Sequence, residues 1–195
     1  CTAIGANNET GIIQPWNEVA LLCQKAAIPF HTDLVQYVGR LPINLKESAT
    51  STATISFHKS GGPKGVGVLY IKEGTQIEPI VRGGSQEKKI RSGTENIIPI
   101  LGAAVLAEEF SELNEIYEKK IRPLRDLFEK ELKAALPEIK IVGENAPRIA
   151  NTSYIIFNNV KSDALLMSLD LSDVYVSTGS ACSSGRRLRW SRPHR

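Results

Sequence analysis

Apolar residues along this chain fall in two rhythms. Short runs of alternating or continuous apolar character predict strands, and recurrence every three to four residues predicts helices. Residues 2–6 (TAIGA) read as the buried end of a strand. Pro15 suits a first helical position, and Val19, Leu22, Cys23 and Ala26 follow at i, i+3, i+4 and i+7 as one helix face. On that face Cys23 is expected to be a plain core thiol. Residues 28–32 predict a second strand ending at Asp33, and 52–57 (TATISF) a third ending at His58-Lys59. A Gly/Pro turn leads to a strand over 66–71, and 77–82 reads as a further strand.

From about 96 to 136 the period becomes helical. Phe110, Leu113, Tyr117, Ile121, Leu124, Phe128, Leu132 and Ala135 recur on one stripe, which Pro123 should kink or split and Pro137 should end. Strands over 138–142 and 151–157 follow, then a short helix near 162–170 with Ser162 as N-cap. Tyr175 begins a last strand that runs into a small-residue loop, Ser177–Gly185. Strands alternating with helices predict an α/β fold with a mostly parallel sheet, and the later order predicts a second α+β unit after about residue 100. There is no internal repeat.

Composition narrows the class. The 195 residues are 42% hydrophobic and 23% charged, which excludes a disordered or low-complexity chain. No apolar run approaches the roughly 18 residues of a membrane span. Three cysteines (Cys1, Cys23, Cys182) without a CxxC give neither a disulfide framework nor a cysteine zinc site. His31, His58 and His194 lack metal-ligand spacing. The start has no basic region, apolar core or cleavage site, so the expected compartment is the reducing cytoplasm. Charge is uneven: the last ten residues (RRLRWSRPHR) hold five Arg and no acid. Without them, 19 basic residues stand against 21 acidic ones. A basic tail can bind nucleic acid or acidic lipid. The abrupt change of bias favours a tail foreign to the domain, such as a shifted reading frame, and no direct nucleic-acid or membrane role is expected.

In open parallel sheets, ligands gather where the strands end. Three polar sets fall at such ends: Asn7-Asn8-Glu9, Asp33 with Gln36, and Ser56 with His58 and Lys59. Asn8, Asp33 and His58 are evenly spaced, 25 residues apart. Alone, each is an ordinary turn or surface residue. Together they offer an amine, a carboxylate and hydroxyl, imidazole and amide groups to one crevice. Such a set suits an aldehyde cofactor bearing a pyridine nitrogen and a phosphate. The Gly61–Gly67 segment (GGPKGVG) matches neither nucleotide-binding glycine pattern.

Five segments, NNETGIIQP at 7–15, HTDLVQ at 31–36, SFHKSGGPKGVGVLY at 56–70, RSGTEN at 91–96 and STGSACSSG at 177–185, resemble the cysteine desulfurases. These are pyridoxal 5'-phosphate enzymes of the class V aminotransferase superfamily, and the TGSAC loop at 178–182 resembles the NifS/IscS-like branch. The resemblance implies a PLP-transferase fold of the aspartate aminotransferase type I kind. Residues 1–100 would belong to the large cofactor-binding domain, 101–185 would form a small α+β domain carrying the cysteine loop, and 186–195 would be a divergent tail. It implies Lys59 as the Schiff-base lysine and proton carrier, Asp33 at the pyridinium nitrogen and Gln36 at the ring oxygen. Ser56 and His58 would hold the phosphate, and Asn8 would contact cofactor or substrate. Thr94, at a helix start, would reach the phosphate in a partner copy, making a homodimer. Arg91 would anchor an anion. Cys182 would take sulfur from L-cysteine as a persulfide, leaving L-alanine, and pass it to an acceptor protein of iron–sulfur assembly or tRNA thiolation. No resident metal is expected, although Cys182 could share an iron–sulfur cluster with a scaffold.

Departures from the pattern shape further expectations. Phe57 stands where the family has a small residue, so its ring is expected to crowd the cofactor, and Leu34 replaces a frequent Ala. The match starts mid-domain and lacks a later substrate-carboxylate Arg. An incomplete chain with weak cofactor binding and little activity is therefore expected. The alternatives are a selenocysteine lyase, another class V aminotransferase, or a fragment without enzymatic function.

Overall fold

The structure is a computed structural model, described here for residues 1–179. Four strands form one sheet in the order β1 (Thr2–Ile4), β2 (His31–Asp33), β3 (Thr52–Ser56) and β4 (Gly67–Ile71). The first three are parallel and in register, with Ile4 beside Asp33 and Asp33 beside Thr54. β4 returns antiparallel to β3, pairing Thr52 with Ile71 and Ser56 with Gly67. The sheet is thus mixed and mostly parallel, as expected. β2 is shorter than predicted: Ile28 lies in the turn before it, 48% exposed.

Alternation of side chains gives this sheet two unlike faces. Ala3, Thr32, Ala53 and Tyr70 share one face. Thr32 and Ala53 are fully buried there, beneath α1 (Trp16–Lys25) and the apolar anchors Phe30, Leu34 and Val38. Burial of each large apolar side chain in this cluster contributes about 1.5–3 kcal/mol. Trp16, Ala20 and Cys23 form the inward stripe of α1, and Trp16 packs edge-on to Tyr37 at 5.8 Å. Cys23 is the core thiol expected, whereas Leu22 is 64% exposed. Once Trp16 sets the stripe, Leu22 falls on its flank. The opposite face carries Ile4, His31, Asp33, Thr52, Thr54 and Ser56, all half-buried.

The long helical stretch is three helices: α2 (Ile97–Glu108), α3 (Phe110–Ile116) and α4 (Arg122–Ala135). A wide π turn, Tyr117–Ile121, joins the last two, with the Arg122 N–H reaching the Tyr117 carbonyl. Pro123 explains it: the ring has no N–H to donate and clashes with a regular preceding turn. The wide turn shifts the helical phase. Phe110, Leu113, Tyr117 and Ile121 keep the predicted inward stripe, half-buried. Beyond it Leu124 is 63% and Phe128 51% exposed, while Glu129 turns inward.

β5 (Lys140–Ile141) and β6 (Ile155–Ile156) form an antiparallel pair, much shorter than predicted. α5 (Ser162–Asp170) starts one residue earlier than expected. Lys161 is its N-cap, and Ser162 makes no capping hydrogen bond. The segment 147–149 crosses back to the loop after β1, where Ile13 N–H donates to Pro147 O and Ile149 N–H to Gly11 O, each at 2.9 Å. Two predicted strands are absent. Residues 77–82 are irregular: Pro79 offers no N–H to a ladder, and Ile80 is 97% exposed. Residues 174–177 are likewise irregular, with Tyr175 78% exposed.

Candidate functional site

The exits of β1, β2 and β3 lie side by side because the strands are parallel neighbours in register. This topology brings together three of the polar sets found in the sequence. Asp33 is the last residue of β2. One of its carboxylate oxygens accepts the Val35 N–H at 2.9 Å, which fixes the carboxylate's orientation at the strand exit. Gln36 follows in the same turn, half-buried.

β3 ends at Ser56 and tightens at once into a single turn of 3₁₀ helix, Phe57–Ser60, closed by Gly61 at φ +93°. That left-handed cap favours glycine. The turn aligns Ser56 with His58: Ser56 Oγ is 2.6 Å from His58 Nδ1. His58 and Lys59 are both exposed at the exit. Phe57 takes the other side. Its buried ring stacks on Phe110 of α3, centroids 6.0 Å apart and planes 12° from parallel. The expectation that Phe57 crowds the crevice is therefore overturned, since alternation past β3 sends its side chain away from Ser56 and His58. Leu34 is likewise a core residue, fully buried.

After the turn the chain packs closely under α2. A Cβ on Gly62 would meet Leu106 at 2.8 Å and Phe57 at 2.9 Å, so only glycine fits there. In the loop after β1, Asn7 accepts hydrogen bonds from the Glu9 and Thr10 N–H groups and from the Thr10 hydroxyl at 2.9–3.1 Å. It shapes the loop that presents the exposed Asn8.

Other predicted residues stand elsewhere. Thr94 is exposed and lies three residues before α2, so it does not occupy the helix start expected of it. Arg91 donates to the carbonyl of its neighbour Ser92 at 2.8 Å. Cys182 and the basic tail lie outside the described residues.

Two features were missed in the sequence. His31 sits on the same face as Asp33, its Nδ1 2.9 Å from Thr52 Oγ1 and its Nε2 3.2 Å from Thr54 Oγ1. Strand alternation, which puts residues 31 and 33 on one side, was the available signal. Arg40 is buried, donating from Nη1 to Gln36 O at 3.1 Å and from Nη2 to Lys59 O at 2.5 Å. Burial pushes its guanidinium below the ordinary value, and Tyr117 opposes that shift. No sequence signal marks it. Among the described residues no cluster of His, Cys, Asp and Glu could hold a metal, and no helix is long and apolar enough to cross a membrane.

Solved structures share this mixed, mostly parallel sheet. The NifS-like protein from Rickettsia africae superposes with a TM-score of 0.85 at 40% identity, covering 92% of this chain and 49% of that one. DndA from Streptomyces lividans gives 0.74 at 31% identity, covering 89% of this chain and 50% of that one. The family model for class-V aminotransferases matches residues 2–192. This chain belongs to the class-V aminotransferase family. It is also 42% identical over 180 residues to the cysteine desulfurase NifS of Azotobacter vinelandii, covering 92% of this chain and 45% of that protein. The cysteine desulfurase IscS of Dictyoglomus turgidum gives the same figures. The chain thus spans about half the length of the curated relatives it matches.

The family implies pyridoxal phosphate, and the residues present fit it. An acid with a fixed orientation ends one strand, and Ser56 ends the next on the sheet face that the core does not cover, with its imidazole partner His58 and Lys59 exposed in the turn that follows.

Proposed function

We propose that this chain carries cysteine desulfurase chemistry: sulfur is removed from L-cysteine to leave L-alanine and a persulfide on Cys182. The observation that carries the reading is the adjacency of Asp33 to the Ser56–Lys59 turn at the exits of neighbouring parallel strands. Residues 1–100 hold the cofactor in this reading, and 101–185 bring the cysteine loop.

Bound pyridoxal phosphate supplies an aldehyde for an amine and a ring that draws electrons from the substrate. Asp33 keeps the ring nitrogen protonated, and Gln36 donates to the ring oxygen. Ser56 and His58 bind the phosphate, and Asn8 orients the substrate. Lys59 supplies the amine that anchors the aldehyde, then takes and returns the substrate α-proton. The Cys182 thiolate attacks the substrate sulfur. An S–S bond forms as the C–S bond breaks, and the electron pair left on carbon is protonated, giving alanine. The small residues around Cys182 suit a loop that carries sulfur onward. The acceptor is a protein of iron–sulfur assembly or tRNA thiolation. A cytoplasmic homodimer, with Thr94 reaching the partner's phosphate, completes the reading.

Borohydride reduction of the chain in excess pyridoxal phosphate, followed by peptide mass spectrometry, tests the cofactor role. The expected adduct is on Lys59. In a separate, unreduced sample L-cysteine should yield alanine matched by Cys182 persulfide, and Cys182→Ser should abolish the sulfur product. Formation of 3-mercaptopyruvate from L-cysteine and a keto-acid acceptor, unaffected by Cys182→Ser, would indicate an aminotransferase instead. Absence of any Lys59 adduct would overturn the reading.

A further inference from the structure

We propose that Arg40 is a positioning residue that locks the Lys59 turn against the strand exit bearing Asp33 and Gln36. The inference rests on the reading of Lys59 as the cofactor amine.

Arg40 is 7% exposed, yet it has no carboxylate within ion-pair distance among the described residues. A buried cation without a counter-ion is costly unless hydrogen bonds and polarizable groups solvate it. Here two carbonyls accept from the terminal nitrogens while the buried Nε has no partner, and the carbonyls belong to the two segments that bear candidate site residues. Nη1 bonds Gln36 O and Nη2 bonds Lys59 O, while the guanidinium carbon lies 5.9 Å from the Tyr117 ring centroid. Tyr117 opens the π turn, so the helix break before Pro123 delivers the ring that covers the guanidinium.

The same seam is tight on either side of Arg40. Ser60 Oγ donates to Val38 O at 2.8 Å. Gly39 has φ +79°, and a Cβ there would lie 2.7 Å from Ser60 Oγ. The two turns therefore touch directly, and Arg40 is the charged member of the contact. A lysine side chain has four rotatable bonds, so its amine is only as well placed as the backbone it grows from. Holding the Lys59 carbonyl to the Gln36 turn fixes the backbone from which the amine grows relative to the strand exit bearing Asp33 before any ligand arrives, which favours efficient capture and proton transfer.

The test compares wild type with Arg40→Lys, Arg40→Met and Lys59→Ala, all below their unfolding temperatures. Each full chain is titrated with pyridoxal phosphate, reduced with borohydride and read by mass spectrometry for occupancy at position 59 and at the other lysines. Arg40→Met keeps most of the stem but loses every donor. Its half-saturation for the Lys59 adduct should rise about tenfold, the equivalent of one charge-assisted hydrogen bond. Adducts at other lysines should not change. Arg40→Lys keeps a donor but not the two-pronged fork or the guanidinium stack on Tyr117, so it should recover part of the loss, with a half-saturation between those of wild type and Arg40→Met. That rescue is not expected if the side chain only fills space. Should Arg40→Met not fold, Arg40→Gln, with a single amide donor group and no charge, takes its place with the same two outcomes. Equal Lys59 half-saturation in wild type and the donor-poor variant refutes this proposal alone. No Lys59 adduct in wild type refutes the functional reading and this proposal with it.

Discussion

Removing the Arg148 side chain is the most informative perturbation of stability. Its two terminal nitrogens each bond one Glu129 carboxylate oxygen at 2.7 Å, with the side chains only 4% and 9% exposed. Arg148 also stands in the segment that pairs with residues 11–13, close behind the loop that presents Asn8. The pair therefore clips α4 to the chain leading from β1. Arg125 reinforces the clip by donating to Ile149 O at 2.8 Å. Arg148→Met strands a buried carboxylate, which costs about 3–5 kcal/mol. For a chain of this size each kcal/mol moves the unfolding midpoint by about 2–4 °C, so a fall of about 6–20 °C is expected. Replacing both partners, as in Glu129→Leu with Arg148→Met, removes the stranded charge and should recover most of that loss. Urea and thermal unfolding followed by circular dichroism close the double-mutant cycle. A cost below about 1 kcal/mol for Arg148→Met, or a coupling within about 0.5 kcal/mol of zero, would show that the pair does not clip the helix.

The same pair sets an acid dependence. Burial raises the Glu129 carboxyl, but the hydrogen bonds and charge of Arg148, with smaller help from Ser153 and the charge of Arg125, outweigh it and hold the group below its ordinary value of 4.5. The stability this contributes is present above about pH 4.5 and is lost as pH falls through the lower folded value. In Arg148→Met burial, the largest influence, is opposed only by Ser153 and the charge of Arg125, so the Glu129 carboxyl should rise relative to the parent and acidification toward pH 4 should cost that variant less stability than it costs the parent; unfolding midpoints across about pH 3–7 reveal the difference. Phe57→Ala should cost about 3–5 kcal/mol by removing the buried ring stacked on Phe110, without altering pyridoxal phosphate half-saturation at Lys59. Tighter cofactor binding by that variant would place the ring in the crevice after all.

Much of the chain could be read from local pattern. The β1–α1–β2–β3–β4 order, the core thiol Cys23 and the break at Pro123 follow from alternation, helical spacing and the missing proline N–H, all properties of a few neighbouring residues. Asp33 and the Ser56–Lys59 turn were legible as strand ends for the same reason. What local pattern cannot encode is which surface each residue meets. The 77–82 run has strand composition, but Pro79 removes a ladder donor and no strand pairs with it, and the apolar Leu124 and Phe128 turned outward because one wide turn upstream rotated their helix. Phe57 reads as an obstruction until Phe110, distant in sequence, receives its ring. Nothing in the sequence singles out Arg40; only the packing of two turns makes it a buried bridge between Gln36 and Lys59, because a hydrogen bond to the carbonyl of a distant turn depends on three-dimensional position and leaves no periodic trace in the sequence.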